Sequence, residues 1–200
     1  MAASTADSVR AFVAIALEPG LVAELKKVQQ ELQARLPDDS VRWTRPEQLH
    51  LTLKFFGHIA AQRLNDLTAA LDRACAGIGS FQLALENAGC FPHTKKPRVL
   101  WTGIGGELES LRKLQKRIEQ ETGNFGDHKE ERLFQPHLTI GRIKAIGIDA
   151  RKAGEVVERT HVSTLGVWTI HQIKLMQSEL APRGARYTTL AAITLAHSGM

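Results

Sequence analysis

One short pattern occurs twice in this chain, and its residue types suit acid–base chemistry. His50-Leu51-Thr52-Leu53 returns 87 positions later as His137-Leu138-Thr139-Ile140. Because side chains alternate between the two faces of a strand, the histidine and threonine of each copy share one face and the two aliphatic residues share the other. Each copy is therefore predicted to offer one imidazole and one hydroxyl to a cleft, with aliphatic anchors in a core.

Two imidazoles around one site can supply both an acid and a base. Histidine titrates near neutral pH, so one ring can carry a proton while its partner does not. Such a pair on either side of a phosphodiester could hydrolyse it without a metal. A 2′,3′-cyclic phosphate suits this chemistry, because its strained ring opens with an alkoxide leaving group that one proton would stabilise. The threonine hydroxyls could donate hydrogen bonds to the non-bridging oxygens as their charge changes in the transition state.

Plainer interpretations exist for each of these residues. A single histidine on a strand is usually structural, and β-branched threonine favours strands for conformational reasons alone. The shared register of both pairs argues for function. The remaining histidines lack such support and are expected to be structural or exposed: His58, His93, His128, His161, His171 and His197.

Other catalytic classes fit the sequence poorly. Zinc needs three or four ligands, and neither motif strand carries Cys, Asp or Glu on its histidine face. Cys90 and His93 are close in sequence but have no second ligand pair. No Gly-x-Ser-x-Gly elbow is present, and Gly103–Gly106 lacks the Lys-Ser/Thr of a phosphate-binding loop. The sequence therefore predicts neither a metal nor a cofactor.

Composition places the chain among soluble globular proteins. It has 200 residues, of which 43% are hydrophobic and 24% charged, enough for one domain or two small lobes. No stretch is long enough to span a membrane, and residues 1–9 lack a signal-peptide layout. Cys75 and Cys90 are read as reduced thiols of a cytoplasmic protein. A net charge of +5 permits a polyanionic partner such as RNA but does not establish one.

Hydrophobic periodicity divides the chain into alternating strands and helices. Strands are predicted at Val9–Leu17, Val41–Trp43, His50–Phe56, Phe81–Leu85, Arg98–Ile104, His137–Ile143, Val167–Met176 and Tyr187–Leu195. Helices are predicted at Leu21–Leu36, Leu64–Ile78, Leu108–Ile118 and Asp149–Arg159. Loops are expected at Gly57, where the third strand ends, and at Gly89–Pro97.

The second half of the chain repeats the order of the first. The apolar stripe at Leu108, Leu111, Leu114 and Ile118 falls, 86 positions earlier, on apolar helix positions of the first half. A chance match of four residues would not bring its flanking periodicity along. We therefore infer an internal duplication within a single bilobal domain over residues 1–200, with motifs at 50–53 and 137–140.

Longer segments around the motifs resemble the two-histidine phosphoesterases, most closely the RNA 2′,3′-cyclic phosphodiesterases that are also called 2′–5′ RNA ligases. The similar segments are RAFVAIAL, RWTRPEQLHLTLKFFG, GCFP, PRVLWTGI, FQPHLTIGRIK and the closing LMQSEL and GARYTTLAAITL. The resemblance implies an α+β fold of two pseudo-symmetric lobes. Each lobe would be an antiparallel sheet with outer helices, and the active-site cleft would lie between them.

The resemblance also implies a role for each motif residue. His50 would be the proton donor and His137 the proton acceptor, and Thr52 and Thr139 match phosphate-binding threonines. Water activated by the acceptor would open the ring, the donor would protonate O3′, and the product would end in a 2′-phosphate. The implied partner is RNA with a 2′,3′-cyclic phosphate end, tRNA fragments included, or a nucleotide. A monomer without membrane contact is expected, and ligation would be the reverse reaction.

The two copies differ after the motif. Continued alternation predicts that Lys54 joins the His50 face as a substrate-binding cation and that Gly141 joins the His137 face to leave room for a nucleotide. Arg142 alternates away from the cleft unless a bulge intervenes, and is a candidate substrate-binding residue in that case. The basic loop at Lys95, Lys96 and Arg98 could guide an RNA strand, although a solvated loop is the plainer interpretation.

Two rival functions remain open at this stage. One is another phosphoesterase of the same superfamily, acting on small cyclic phosphates or on 2′–5′ oligonucleotides. The other is a non-catalytic RNA- or nucleotide-binding module. The two intact motifs argue against the second, because binding alone does not need two titrating imidazoles.

Overall fold

Every strand in the described part of the chain belongs to one antiparallel sheet. The computed structural model describes residues 8–127, 133–144, 148–160, 164–181 and 184–196. The strands are β1 Ser8–Ala16, β2 Val41–Trp43, β3 His50–Ala60, β4 Phe81–Phe91, β5 Val99–Gly106, β6 His137–Ile143, β7 Gly166–Ile170, β8 Gln172–Ala181 and β9 Gly184–Thr194. The helices are α1 Pro19–Gln33, α2 Leu64–Cys75, α3 Leu108–Glu121 and α4 Ile148–Arg159. The predicted α+β class is confirmed.

The strand order divides the sheet into two lobes. It runs β7-β4-β5-β6-β3-β1-β8-β9, and the two motif strands β6 and β3 are neighbours at its centre. They are joined by a single pair of register partners, Leu51 and Leu138. Beyond this pair β2 continues along the same edge of β6, where Val41 is paired with Ile143. The cleft between the lobes therefore lies over the junction of the two motif strands.

Helices cover the face of the sheet that is opposite the cleft. Helices α2 and α3 pack together, α2 against β9 and α3 against β3, whereas α1 packs near β6 and α4 against β4. The apolar stripes predicted from the sequence face this core: Leu25 and Leu32 of α1 and Leu111 and Leu114 of α3 are fully buried. Each lobe thus has outer helices, as the resemblance implied. No helix in the described residues is long and apolar enough to cross a membrane.

Three predicted strand boundaries are wrong. Strand β3 continues past Gly57 to Ala60, because Gly57 adopts a φ of 72° and the strand remains paired with β1. Strand β4 continues through the predicted loop to Phe91, which pairs with Val99 of β5. The predicted strand Val167–Met176 is two strands that separate at His171. The pairing that extends β3 comes from β1, which is distant in sequence, whereas β4 is extended by a hairpin with the next strand, β5.

Both motif strands contain a bulge at the fourth residue of the motif. In β3, Lys54 pairs with Val13 and Thr52 with Ala14, so Leu53 has no partner of its own. In β6, Gly141 pairs with Leu100 and Thr139 with Trp101, which leaves Ile140 as the extra residue. Both extra residues are buried in the core. A bulge of one residue reverses the facing of the residues that follow it.

Candidate active site

His50, Thr52, His137 and Thr139 line a single cleft of about 510 Å³. Each strand carries its histidine and threonine on the cleft face because the intervening Leu51 and Leu138 are buried in the core. Extending the antiparallel register by one residue from this leucine pair sets each histidine opposite the threonine of the other strand. The arrangement can hold one small anion between two imidazoles and two hydroxyls.

The two imidazoles are held by the same contact. His50 Nδ1 lies 2.7 Å from the carbonyl oxygen of Gln48, and His137 Nδ1 lies 2.8 Å from that of Gln135. A carbonyl oxygen can only accept, so Nδ1 is the donor in both rings. The tautomer is thereby fixed, and Nε2 is the nitrogen left to exchange protons in each ring.

Two aromatic rings contact His50, and one contacts His137. The His50 ring lies 4.8 Å from that of Phe12 and 5.3 Å from that of Tyr187, between centroids. The His137 ring has Phe91 at 4.9 Å in an edge-to-face arrangement. These contacts restrict the orientation of each imidazole and remove water from it.

Burial disfavours the charged form of both histidines. Desolvation lowers the pKa of His50 from the usual 6.5 to about 4, although the hydrogen bond to Gln48 opposes this shift. Desolvation also lowers the pKa of His137, the Gln135 contact opposes it, and the nearby Arg142 guanidinium adds a smaller lowering effect. Both rings are therefore mainly neutral at pH 7 in the free protein. An anion bound between them would favour protonation of either ring.

Arg142 lines the cleft, whereas Lys54 and Gly141 do not. The bulge condition under which Arg142 would face the site is met at Ile140. The predicted facing of Lys54 is wrong: its Nζ lies 2.6 Å from Glu119 on α3, and its side chain is only 8% exposed. The predicted facing of Gly141 is also wrong. A Cβ there would come within 2.7 Å of Val41, so this glycine allows β2 to pack against β6.

The cleft is strongly basic. Its lining includes four arginines and no Asp or Glu among the described residues: Arg10, Arg42, Arg45 and Arg142. Its other wall is aromatic, formed by Phe12, Phe55 and Tyr187. This combination of cations, aromatic rings and titrating imidazoles is typical of a site for a nucleotide phosphate.

A comparison with protein families matches residues 15–101 and 106–187 to the LigT-like phosphoesterases. The chain belongs to the LigT-like phosphoesterase family. It is 32% identical to the RNA 2′,3′-cyclic phosphodiesterase of Methanothermobacter thermautotrophicus over 187 residues, which are 94% of this chain and 99% of the relative. It is 30% identical to the protein of the same name from Methanocaldococcus jannaschii over 181 residues, which are 90% of this chain and 98% of the relative.

Solved structures of LigT-like phosphoesterases have the same fold. A Thermus thermophilus protein superposes with a TM-score of 0.75 at 27% identity, covering 95% of this chain and 100% of the other. Escherichia coli LigT in complex with 3′-AMP superposes with a TM-score of 0.73 at 24% identity, covering 96% and 100%. The resemblance seen in the sequence is thus confirmed, and so is the two-lobe fold that it implied.

The other described histidines and the basic loop lie outside the cleft of this LigT-like phosphoesterase. His58 is exposed and contacts Asp127, and the Nδ1 of exposed His93 accepts a hydrogen bond from the Lys96 amide within the loop. His171 is exposed as well. His128, His161 and His197 lie outside the described residues. The cleft lining includes none of the loop residues Lys95, Lys96 and Arg98.

Several residues that contact the two imidazoles had no distinguishing signal in the sequence. Phe12 belongs to a strand that is apolar on both faces, so its cleft-facing position resembles a core position. Phe91 was assigned to a loop, and Tyr187 to the start of a strand. One signal for Tyr187 is that it is the single tyrosine of the chain and lies in a segment shared with the family.

The described residues contain no group of three or more His, Cys, Asp or Glu side chains arranged to hold a metal ion. The cleft itself offers two imidazoles and no carboxylate or thiol among its lining residues. A catalytic zinc takes three protein ligands, so this lining does not fit one. A metal-free reaction remains a prediction for experiment.

Proposed function

We propose that this LigT-like phosphoesterase hydrolyses RNA 2′,3′-cyclic phosphate ends to 2′-phosphate ends by paired-histidine acid–base catalysis. The observation that carries the proposal is the matched fixation of the two imidazoles in one cleft. Each Nδ1 is bound to a backbone carbonyl, which leaves each Nε2 to exchange protons. The names of the relatives that align over most of the chain give the substrate class.

In the proposed reaction, His137 Nε2 removes a proton from water, and the water oxygen attacks phosphorus. The bond from phosphorus to O3′ breaks, and His50 Nε2 donates its proton to O3′. The products are a 2′-phosphate and a free 3′-hydroxyl, and exchange with solvent restores the starting protonation. Thr52 and Thr139 donate hydrogen bonds to the non-bridging oxygens. The direction of the two roles comes from the family resemblance, because the two motifs are geometrically alike.

Substrate binding has an electrostatic role in this scheme. With a pKa of about 4, His50 is neutral at pH 7 in the free protein and has no proton to donate. The negative charge of the cyclic phosphate would raise the pKa of the ring beside it. The acid is therefore charged mainly when substrate is present. Arg142, on the same face of β6, adds positive charge to the cleft.

The decisive experiment incubates the purified protein with an oligoribonucleotide that ends in a 2′,3′-cyclic phosphate. We expect conversion to a 2′-phosphate end, identified by phosphorus NMR on a short substrate. A 3′-phosphate would mean that the substrate lies the other way round and that the two histidine roles are exchanged. Binding without turnover would favour a non-catalytic RNA- or nucleotide-binding module, and turnover of small cyclic phosphates alone would favour the other phosphoesterase class.

Reverse ligation to a 2′–5′ linkage, a monomeric state and a cytoplasmic location remain predictions. The same cleft would run ligation if an RNA 5′-hydroxyl replaced the water: His137 would deprotonate the hydroxyl, its oxygen would attack phosphorus, and His50 would protonate O3′ as the bond from phosphorus to O3′ breaks. Supplying a cyclic-phosphate end together with a 5′-hydroxyl RNA tests this directly.

A further inference from the structure

Two arginines of the cleft stand directly opposite each other on neighbouring strands. Arg42 of β2 and Arg142 of β6 are register partners. Opposed residues of an antiparallel pair have Cβ atoms about 5 Å apart, and like charges in such positions are destabilising. Both side chains line the cleft. Their register therefore places two guanidinium groups side by side on the cleft face.

The other two arginines of the cleft are already engaged. Arg45 lies 3.1 Å from the carboxylate of Glu47, and the Arg10 guanidinium lies over the ring of Phe55 at 4.7 Å. The side chains of Arg42 and Arg142 have no hydrogen bond or ion pair with any described residue. They are therefore the two arginines of the described cleft whose side chains have neither an ion-pair nor a ring partner there.

The backbone of the pair lies beyond the motif residues along β6, although the Arg142 guanidinium is near enough to His137 to affect it. Arg142 lies four residues along β6 from Leu138, the residue between His137 and Thr139. Four strand residues span about 13 Å, slightly less with a bulge. Arg42 is on β2, beyond the point where β3 leaves the edge of β6. The Arg42 side is thus the end of the cleft away from the Leu51–Leu138 pair.

The charges of the site cannot be balanced by one cyclic phosphate. A cyclic phosphodiester carries one negative charge, and the protonated imidazole of the acid–base pair already matches it. Two further guanidinium charges remain at one end of the cleft. An RNA chain supplies additional phosphates on the 5′ side of the reacting nucleotide, and arginine binds phosphate oxygens in a bidentate manner.

We propose that Arg42, together with Arg142, binds a phosphodiester on the 5′ side of the reacting nucleotide, so that the substrate class is an oligonucleotide end rather than a mononucleotide. This inference rests on the proposed function. It gives β2, which lies outside both motifs, a role in binding the RNA backbone beyond the reacting nucleotide.

The test compares Arg42→Gln with the wild type on two substrates. One is adenosine 2′,3′-cyclic phosphate, and the other is a triadenylate that ends in the same group and has two internal phosphodiesters. We expect the ratio of kcat/KM for the trimer to that for the monomer to fall about tenfold, the scale of a lost charge-assisted hydrogen bond. The salt dependence of the trimer's kcat/KM should also weaken, by about 0.7 in the log–log slope for one lost contact.

Two further variants control for charge and folding. Arg112→Gln removes an exposed arginine from α3, outside the cleft, and should leave the substrate ratio as in the wild type. Arg42→Lys retains the charge but not the fork of donors, so it should restore the salt slope and only part of the ratio. Thermal melting establishes that each variant is folded before kinetics are compared.

The outcomes distinguish this inference from the proposed function. If the wild type hydrolyses both substrates but Arg42→Gln leaves the ratio unchanged, the second phosphate site is wrong and the activity stands. An equal loss on monomer and trimer would place Arg42 at the reacting phosphate and also overturn the inference. If the wild type hydrolyses neither substrate, the proposed function itself falls.

Discussion

Phe55 and Arg142 occupy equivalent positions in the two motif strands, each five residues after its histidine, and both line the cleft. The bulges at Leu53 and Ile140 turn both side chains toward the cleft. One lobe therefore adds an aromatic ring beside its histidine, and the other adds a guanidinium. The cleft is symmetric at the four motif residues and polarised immediately beyond them.

Alanine at either motif histidine should reduce hydrolysis sharply. We expect kcat/KM on a 2′,3′-cyclic phosphate to fall by at least about a hundredfold for His50→Ala and for His137→Ala, the usual scale of acid–base catalysis. The matched control is His58→Ala, because this histidine is exposed and contacts Asp127 outside the cleft. Near-wild-type turnover in either motif variant, with an unchanged melting temperature, would refute the role given to that residue.

The pH dependence should differ between the free enzyme and the substrate complex. The proposed catalysis needs one protonated and one neutral imidazole, and the pKa of His50 is about 4 while that of His137 lies below 6.5. The profile of kcat/KM, which reports the free enzyme, should therefore be bell-shaped with its maximum between about 4 and 6.5. The alkaline limb of kcat should lie at higher pH, because the bound anion raises both pKa values.

Proton NMR provides an independent check of this electrostatic account. Titration of the free protein should show both motif rings protonating below the usual histidine pKa of 6.5. Arg142→Gln removes a cation that disfavours the imidazolium, so the pKa of His137 should rise. Addition of inorganic phosphate should raise it further. Motif histidines that titrate at or above the usual 6.5 in the free protein would contradict the desolvation argument.

Chelation should leave the reaction unaffected. The cleft lining offers two imidazoles and no carboxylate or thiol among the described residues, which is too few ligands for a catalytic zinc. Initial rates measured after dialysis against excess EDTA should match those of untreated enzyme. Loss of activity that zinc or manganese restores would require a different mechanism.

Lys54 should affect stability and not the chemistry of the cleft. Its Nζ contacts Glu119 and lies 3.4 Å from the carbonyl oxygen of buried Thr122. Lys54→Ala should lower the free energy of unfolding by about 1–3 kcal/mol, because a nearly buried charged contact is lost. Lys26→Ala, on an exposed position of α1, is the matched control and should have little effect. A reduced kcat/KM in a folded Lys54 variant would instead support the substrate-binding role predicted from the sequence.

Sequence periodicity was sufficient for the elements and for the facing of the motif residues. His50 and Thr52 precede the bulge, so simple alternation describes them correctly. Lys54 and Gly141 follow it, and their facing depends on how Val13 and Leu100 pair across the sheet. That pairing is a tertiary property, which no local pattern in β3 or β6 encodes. The extension of β4 to Phe91 was not predicted because Gly89 and Pro92 are typical loop residues, although Gly89 pairs with Trp101 in the sheet.

The internal duplication stays a prediction, and the fold adds an argument for it. The strand–helix–motif-strand order occurs in both halves, and each motif strand bulges at the same position. The helices that follow β1 and β5 each pack over the other lobe's motif strand, α1 near β6 and α3 against β3. A duplicated unit would give this arrangement if the helix of each copy packed on the motif strand of the other copy.

The pairing of β1 with β8 has a consequence for how the protein is made. Phe12 lies beside Met176, and β8 in turn holds β9, which runs to Thr194. The lobe that carries His50 therefore acquires its last two strands only when β8 and β9 have left the ribosome. The strands of the lobe that carries His137 end with β7, at Ile170. The half of the site that is translated first is thus the half that is finished last, and a nascent chain holds its first motif strand in an incomplete sheet until β8 and β9 have emerged.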